Sequence, residues 1–196
     1  MNEIIYKILL ATLVLSMNII RGYYQKRYKS THAVTTRVKQ KSREKLLVWL
    51  MFFSLAIPGL IWLFTNWLSF GQFYLPGSIR ILGFIIGVFA MWLFYTVHKT
   101  LGDNWSPTLE IRKEHKLIVS GVYKWTRHPM YTAMLFQMVS FSLITANWFY
   151  ACTMFTGLAI LLITRVPDEE RLMIEEFGEQ YKDYMKQTKR LIPFIF

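Results

Sequence analysis

Two short runs in the second half of the chain carry residue types that can do chemistry together. The first, Arg127-His128-Pro129-Met130-Tyr131, offers a guanidinium, an imidazole and a phenol within five residues. The second, Arg165-Val166-Pro167-Asp168-Glu169-Glu170, offers a guanidinium followed by three carboxylates. An arginine can hold a carboxylate through two parallel N–H groups, which a lysine cannot do. Tyr123, Tyr131 and Trp125 offer aromatic faces that attract a cation. Glu170 and His128 are the nearest bases, should a proton have to be removed. Each run also has a structural reading. Pro167 near the first turn of an exposed helix would place Asp168, Glu169 and Glu170 where the helix dipole favours anions, with Arg165 snorkelling at a membrane edge. His128, held away from the α region by Pro129, would mark a bend before a helix.

Several chemistries are excluded by pattern. The sequence has no HExxH, no CxxC and no carboxylate set at metal-ligand spacing, and His32, His98 and His115 are scattered, so no metal site is expected. There is no GxxxxGK and no GxGxxG after a strand, hence no soluble-type nucleotide fold. The single cysteine, Cys152, rules out an intrachain disulfide. A formal charge of +11 would suggest nucleic acid in a soluble protein, but here the charges are segregated from long apolar runs, so no nucleic-acid partner is expected.

Those runs decide how the chemical groups must be positioned. With 54% hydrophobic residues and a mean hydropathy of +0.28, a 196-residue chain has more apolar surface than one soluble core can bury. A bilayer core needs roughly 20 apolar residues of helix. Four uncharged or nearly uncharged stretches satisfy this: Ile4 to Ile20, Leu46 to about Leu68, Ile81 to Val97, and Met130 to Thr164. The first reads as a retained span and not a cleaved leader. The last, as one helix, would be about 52 Å long and overshoot the hydrocarbon, so it is predicted to be a hairpin turning at Asn147-Trp148. The result is five spans. Pro58 and Gly59 predict a kink in the second. Basic residues crowd the connections 21–45 and 98–129, whereas 69–78 and the hairpin turn carry no charge. The N-terminus is therefore expected outside and the C-terminus cytoplasmic. The basic segment Arg21 to Lys45 reads first as an anchor for anionic headgroups. Leu172, Phe177, Tyr181 and Tyr184, with acids and lysines between them, read as an amphipathic surface helix. A hairpin returns both its ends to one membrane surface, which would bring Arg127, His128 and Tyr131 close to Arg165, Glu169 and Glu170.

From about His98 to Pro193 the chain resembles the isoprenylcysteine carboxyl methyltransferase family, related to phospholipid methyltransferases. The motifs are His115-Lys116-Leu117-Ile118, Ser120-Gly121-Val122-Tyr123, Arg127-His128-Pro129-Met130-Tyr131, Arg165 with Glu169-Glu170, Phe177-Gly178, Tyr181, Tyr184, and Arg190-Leu191-Ile192-Pro193. Length and span count resemble the compact prokaryotic members, while the first two spans carry no family signature. The resemblance implies an all-α integral membrane protein of five transmembrane helices, with a hairpin of spans 4 and 5 and a cytoplasmic C-terminal amphipathic helix enclosing a non-Rossmann cofactor pocket. Residues 1–97 would form the three-span membrane region and 98–196 the catalytic region. It further implies that Glu110, His115, Lys116, Leu117, Ile118, Tyr123, His128, Pro129, Met130, Tyr131 and Glu169 contact S-adenosylmethionine, and that Arg165 faces a lipid-like or prenylated acceptor. Arg165 and Glu169 would be the catalytic pair. The membrane would be the plasma membrane in a prokaryote and the endoplasmic reticulum in a eukaryote. Three alternatives stay open at this stage: methylation of a phospholipid amine, an NADPH-dependent membrane reductase, and a non-enzymatic scaffold that binds anionic lipid.

Overall fold

The apolar runs of the sequence form helices that leave many large apolar side chains exposed. The computed structural model describes residues 2–30, 35–38, 41–106, 110–112 and 116–192. Its elements are α1 (Glu3–Ser30), β1 (Thr35–Val38), α2 (Lys41–Phe64), α3 (Gly77–Leu101), β2 (Glu110–Arg112), α4 (Pro129–Thr145), α5 (Trp148–Phe177) and α6 (Glu179–Gln187). Helices α1, α2, α3 and α5 are long and apolar enough to cross a membrane. Ile19, Trp49, Trp92 and Ile163 lie more than half exposed on them, which suits helices solvated by lipid and makes this a multi-pass membrane protein.

Helix α4 is the hub. It packs along α3, and also against α5 and α1, burying Met138, Phe141 and Ile144 with Leu10 and Leu13 of α1 and Tyr150, Met154 and Leu158 of α5. Small residues permit the close approaches on which helix association in lipid depends. A Cβ at Gly157 of α5 would stand 2.2 Å from Ser54 Oγ of α2, and one at Gly87 of α3 would stand 2.5 Å from Ser140 Oγ of α4. At the end remote from the motif residues, Arg80 of α3 ties three elements together. It donates to the α4 carbonyl of Ile144 (2.8 Å), binds both carboxylate oxygens of Glu3, and lies over the Tyr6 ring.

The turn between α4 and α5 falls at the predicted place, but its chemistry is different. Ala146 adopts the left-handed conformation and ends α4. Asn147 is fully buried within the protein. Its side chain accepts from Tyr150 N (3.0 Å), capping α5, and donates to Leu68 O (2.7 Å), pinning the turn that follows α2.

Four further expectations need correction. The segment Arg21 to Lys45 is not one loop, because α1 continues to Ser30 and α2 starts at Lys41. The fold is not all-α either: β1 pairs antiparallel with β2, so the described residues include one two-stranded sheet beside the helices. Pro167 does not begin a new helix but lies inside α5, which runs unbroken to Phe177. Residues 168–177 contain no glycine, and side-chain ties described below hold that stretch to α2 and α4. The surface helix is consequently divided at Gly178, whose φ of 55° ends α5 and redirects the chain into α6. Helix α2 does continue through Pro58, as neighbouring helices allow.

Candidate functional site

The start of α4 and the last third of α5 meet as their connection requires. His128 caps the N-terminus of α4, Pro129 follows at the first helical position, and Tyr131 is one turn in. From α5, Glu169 and Glu170 face this point from two directions, since neighbouring helical residues are about 100° apart. Glu169 accepts a 2.9 Å hydrogen bond from the Tyr131 phenol and lies 3.6 Å from His128 Nδ1. Glu170 is buried on the other side. It accepts from Arg127 Nε (3.0 Å) and Arg190 Nη2 (2.8 Å), and His128 Nε2 is 3.4 Å away.

The segment after α6 is stitched down beside this cluster. Arg127 N donates to Lys189 O (2.8 Å), His128 N to Arg190 O (3.0 Å), and Thr132 Oγ1 to Leu191 O (2.6 Å). Arg127 also donates from its side chain to the carbonyls of Met185 and Thr188, which terminate α6. Tyr184 of α6 donates to Tyr123 O (2.6 Å). These bonds place α6 as a cover over the 123–131 segment.

Electrostatics follow from burial and these neighbours. Burial alone would lower the pKa of His128, but the carboxylates of Glu169 and Glu170 outweigh it and hold the imidazole above its ordinary value. Tyr123 and Tyr184 stay protonated phenols. Burial, aided by the charge of Glu169, raises the first well above its usual range, and burial pushes the second up to about 12.

A cavity of about 860 Å³ opens beside the cluster. Its polar end is lined by Lys116, Leu117, Ile118, Tyr123, Arg127, His128, Met130, Tyr131, Arg165 and Glu169, with Tyr181 and Tyr184 of α6. Its apolar part runs between α1 and α2, past Leu10, Val14, Trp49, Phe52, Leu60 and Leu63. Arg165 does not snorkel to a surface. Its side chain is 12% exposed, and Nε lies 3.3 Å from Oε2 of Glu44, a buried residue in the first turns of α2. One residue before Glu44 on α2 and three after Arg165 on α5, Arg43 pairs with Asp168 at 3.1 Å, so α2 is tied to α5 beside the site.

Most residues singled out from the sequence therefore share one cavity. Pro129 is buried but does not line it, and Trp125 is 55% exposed, its place on the wall being taken by Trp105. Glu110 contributes its backbone to β2, and nothing further is described of its side chain. His115 and Pro193 lie outside the described residues. Sequence reading missed Glu44, Arg21 and Trp105. For Glu44 a signal existed, because it is the only acid among the nine basic residues of 21–45.

Residues 81–175 match the family model described as the isoprenylcysteine carboxyl methyltransferase (ICMT) family. The chain is 31% identical over 117 residues to the protein-S-isoprenylcysteine O-methyltransferase of Mus musculus, covering 58% of this chain and 41% of that one. It is 27% identical over 140 residues to the protein of the same name from Tribolium castaneum, covering 67% of this chain and 50% of the relative. The chain thus spans about half the length of the curated relatives it matches. A solved structure of the eukaryotic intramembrane Ras methyltransferase ICMT superposes with a TM-score of 0.55 at 22% identity, covering 80% of this chain and 53% of that one, so the two share a fold.

Proposed function

We infer, from the premise that residues 81–175 belong to the isoprenylcysteine carboxyl methyltransferase family, that this chain methylates the carboxylate of a lipid-like acceptor with S-adenosylmethionine. The observation that carries the reading is the single cavity joining Glu169, Tyr131 and Arg165 to an apolar groove between α1 and α2. Such a cavity suits a reaction between a polar, cationic cofactor and a substrate with a hydrocarbon tail. Helices α1 and α2 make few contacts with each other, and the groove between them gives a tail access from the bilayer.

The residues present fit the cofactor. The cavity lies within the roughly 300–1,000 Å³ of pockets for ligands of that size. Its polar end combines tyrosines, a carboxylate and a buried ring nitrogen, His128 Nδ1, without an aligned hydrogen bond. S-Adenosylmethionine supplies an electrophilic methyl group on a sulfonium when bound. Tyr123 and Tyr131 present aromatic faces to that cation, each worth roughly 0.5–2 kcal/mol, and Glu169 presents the complementary charge. His128 and Tyr131 fix the Glu169 carboxylate, while Lys116, Leu117, Ile118 and Met130 form the wall. Glu110 and His115 are assigned to the cofactor by resemblance.

Arg165 orients the acceptor's carboxylate, and alignment of the reacting atoms is the main catalytic device. Helix α6 and the segment after it exclude water, which would otherwise solvate the nucleophile. A carboxylate requires no proton to be removed, in keeping with the surroundings of the bases: Glu170 is engaged by Arg127 and Arg190, and His128 lies between two carboxylates that favour its protonated form. An amine acceptor would need one of them free, so the carboxylate is favoured over the phospholipid amine.

In this reading α4, 17 residues and about 25 Å long, is the fourth of five spans and forms a hairpin with α5. The N-terminus is outside, the site faces the cytoplasm, residues 1–97 provide the membrane region, and 98–196 provide the catalytic one. Calorimetry of the detergent-purified protein tests the cofactor. Micromolar binding of S-adenosylmethionine and S-adenosylhomocysteine, lost in Glu169→Ala, is expected. Binding of NADPH instead would overturn the reading.

A further inference from the structure

The cavity is lined by a partly buried cation that the reading above leaves unused. Arg21 lies on the face of α1 that also presents Met17, Asn18 and Gln25 to the cavity, and it is partly buried. Arg27, Arg43, Arg80, Arg127, Arg165 and Arg190 each have a carboxylate partner. Arg21 has no hydrogen bond or ion pair among the described residues, and the charged group that acts on it through space is the like charge of Arg165. Withdrawing a guanidinium from water without a counter-charge is unfavourable, and a like charge in the same cavity adds repulsion that an anion would relieve.

Among the described residues, Arg127 and Arg190 pair with Glu170, Glu169 lies beside His128, and Arg165 lies beside Glu44. Lys45 and Lys116 also line the cavity but are exposed to solvent. Arg21 is therefore the partly buried cation lining the cavity that has no carboxylate partner among the described residues. The Arg165–Glu44 contact is also incomplete, because Arg165 Nε is buried without an aligned hydrogen bond although Glu44 Oε2 is 3.3 Å away. A guanidinium in that state gains from an acceptor that meets it in better geometry.

We propose that Arg21 is the second cationic wall of the acceptor-carboxylate site, opposite Arg165, and that Glu44 is an internal carboxylate that holds Arg165 until the acceptor arrives. The ligand class is a lipid carboxylate. With Arg165 and Glu44 alone, an incoming carboxylate would meet a neutral pair; Arg21 supplies the charge that attracts it. This inference rests on the methyltransferase reading, and its test separates the two.

The probes are N-acetyl-S-farnesylcysteine and its carboxamide, which have the same tail but differ in charge, titrated into the full chain in detergent with S-adenosylhomocysteine present. The wild-type protein binds the carboxylate more tightly. Arg21→Gln weakens carboxylate binding roughly 10- to 100-fold, the range of a lost hydrogen bond to a charged group, and leaves the carboxamide unchanged. Arg21→Lys restores part of the preference, and Glu44→Gln tightens the carboxylate several-fold, with unchanged S-adenosylhomocysteine affinity showing that all three variants are folded. An unaltered carboxylate-to-carboxamide ratio in Arg21→Gln overturns the proposal. So does a selective loss of S-adenosylhomocysteine affinity, which would assign Arg21 to the cofactor's own carboxylate. A wild-type protein that binds S-adenosylhomocysteine and neither probe overturns this site. One that binds no S-adenosylhomocysteine overturns the methyltransferase reading itself.

Discussion

Glu169 and Glu170 are neighbours in sequence, and the structure gives their isosteric amides opposite phenotypes. Glu170 is 4% exposed as a residue and engages Arg127, whose side chain is 9% exposed, together with the more open Arg190 at 41%. Removing one member of a buried pair costs about 3–5 kcal/mol, because the remaining charge stays buried. The Arg190 contact is half in solvent and adds at most about 1 kcal/mol. Glu170→Gln keeps the shape and one acceptor, so we take about 3 kcal/mol, near the lower end. For a chain of this size that corresponds to a fall of roughly 6–12 °C in melting temperature. Glu169 faces the cavity, and Glu169→Gln should melt close to wild type while losing S-adenosylmethionine affinity. Thermal unfolding in detergent, paired with calorimetry, reads both. The reasoning is refuted if Glu170→Gln melts within about 2 °C of wild type, or if Glu169→Gln falls as far as Glu170→Gln does.

Tyr131→Phe removes the hydrogen bond to Glu169 and should weaken S-adenosylmethionine binding about tenfold in calorimetry, with the fold intact. His128 contributes a pH dependence. Its folded pKa is raised, so its stabilisation is complete below the ordinary value of about 6.5 and is lost as pH rises through the raised one. Melting temperature should therefore decline above about pH 6.5 in the wild type, and that decline should flatten in His128→Gln. Gly157→Val should destabilise strongly, since even a Cβ at that position lies 2.2 Å from Ser54 Oγ; Ser54→Gly in the same chain should partly rescue expression of folded protein. Asn147→Ala removes a helix cap and the bond to Leu68 O and should cost about 1–3 kcal/mol by thermal unfolding.

The sequence by itself determined the membrane class, the long helices and the turn at Asn147, because hydropathy and length are local properties that the bilayer reads directly. It also carried the family resemblance, and a turn near the middle of residues 130–164 was enough to predict that the 127–131 and 165–170 motifs would meet. The extent of α5 was not legible, because proline at 167 is compatible with either a helix start or a helix interior, and the choice depended on contacts to α2 and α4 made after folding. The division of labour between Glu169 and Glu170 was hidden for a similar reason: one residue of helical rotation sends one to the cavity and the other to Arg127 and Arg190. Glu44 and Arg21 lie more than 120 residues from Arg165 and read from the sequence as parts of a basic segment anchored to anionic headgroups. Only the tertiary packing of α1, α2 and α5 around one cavity brought them beside the candidate site, since the free energy of a charge is set by what surrounds it in space and not by its position along the chain.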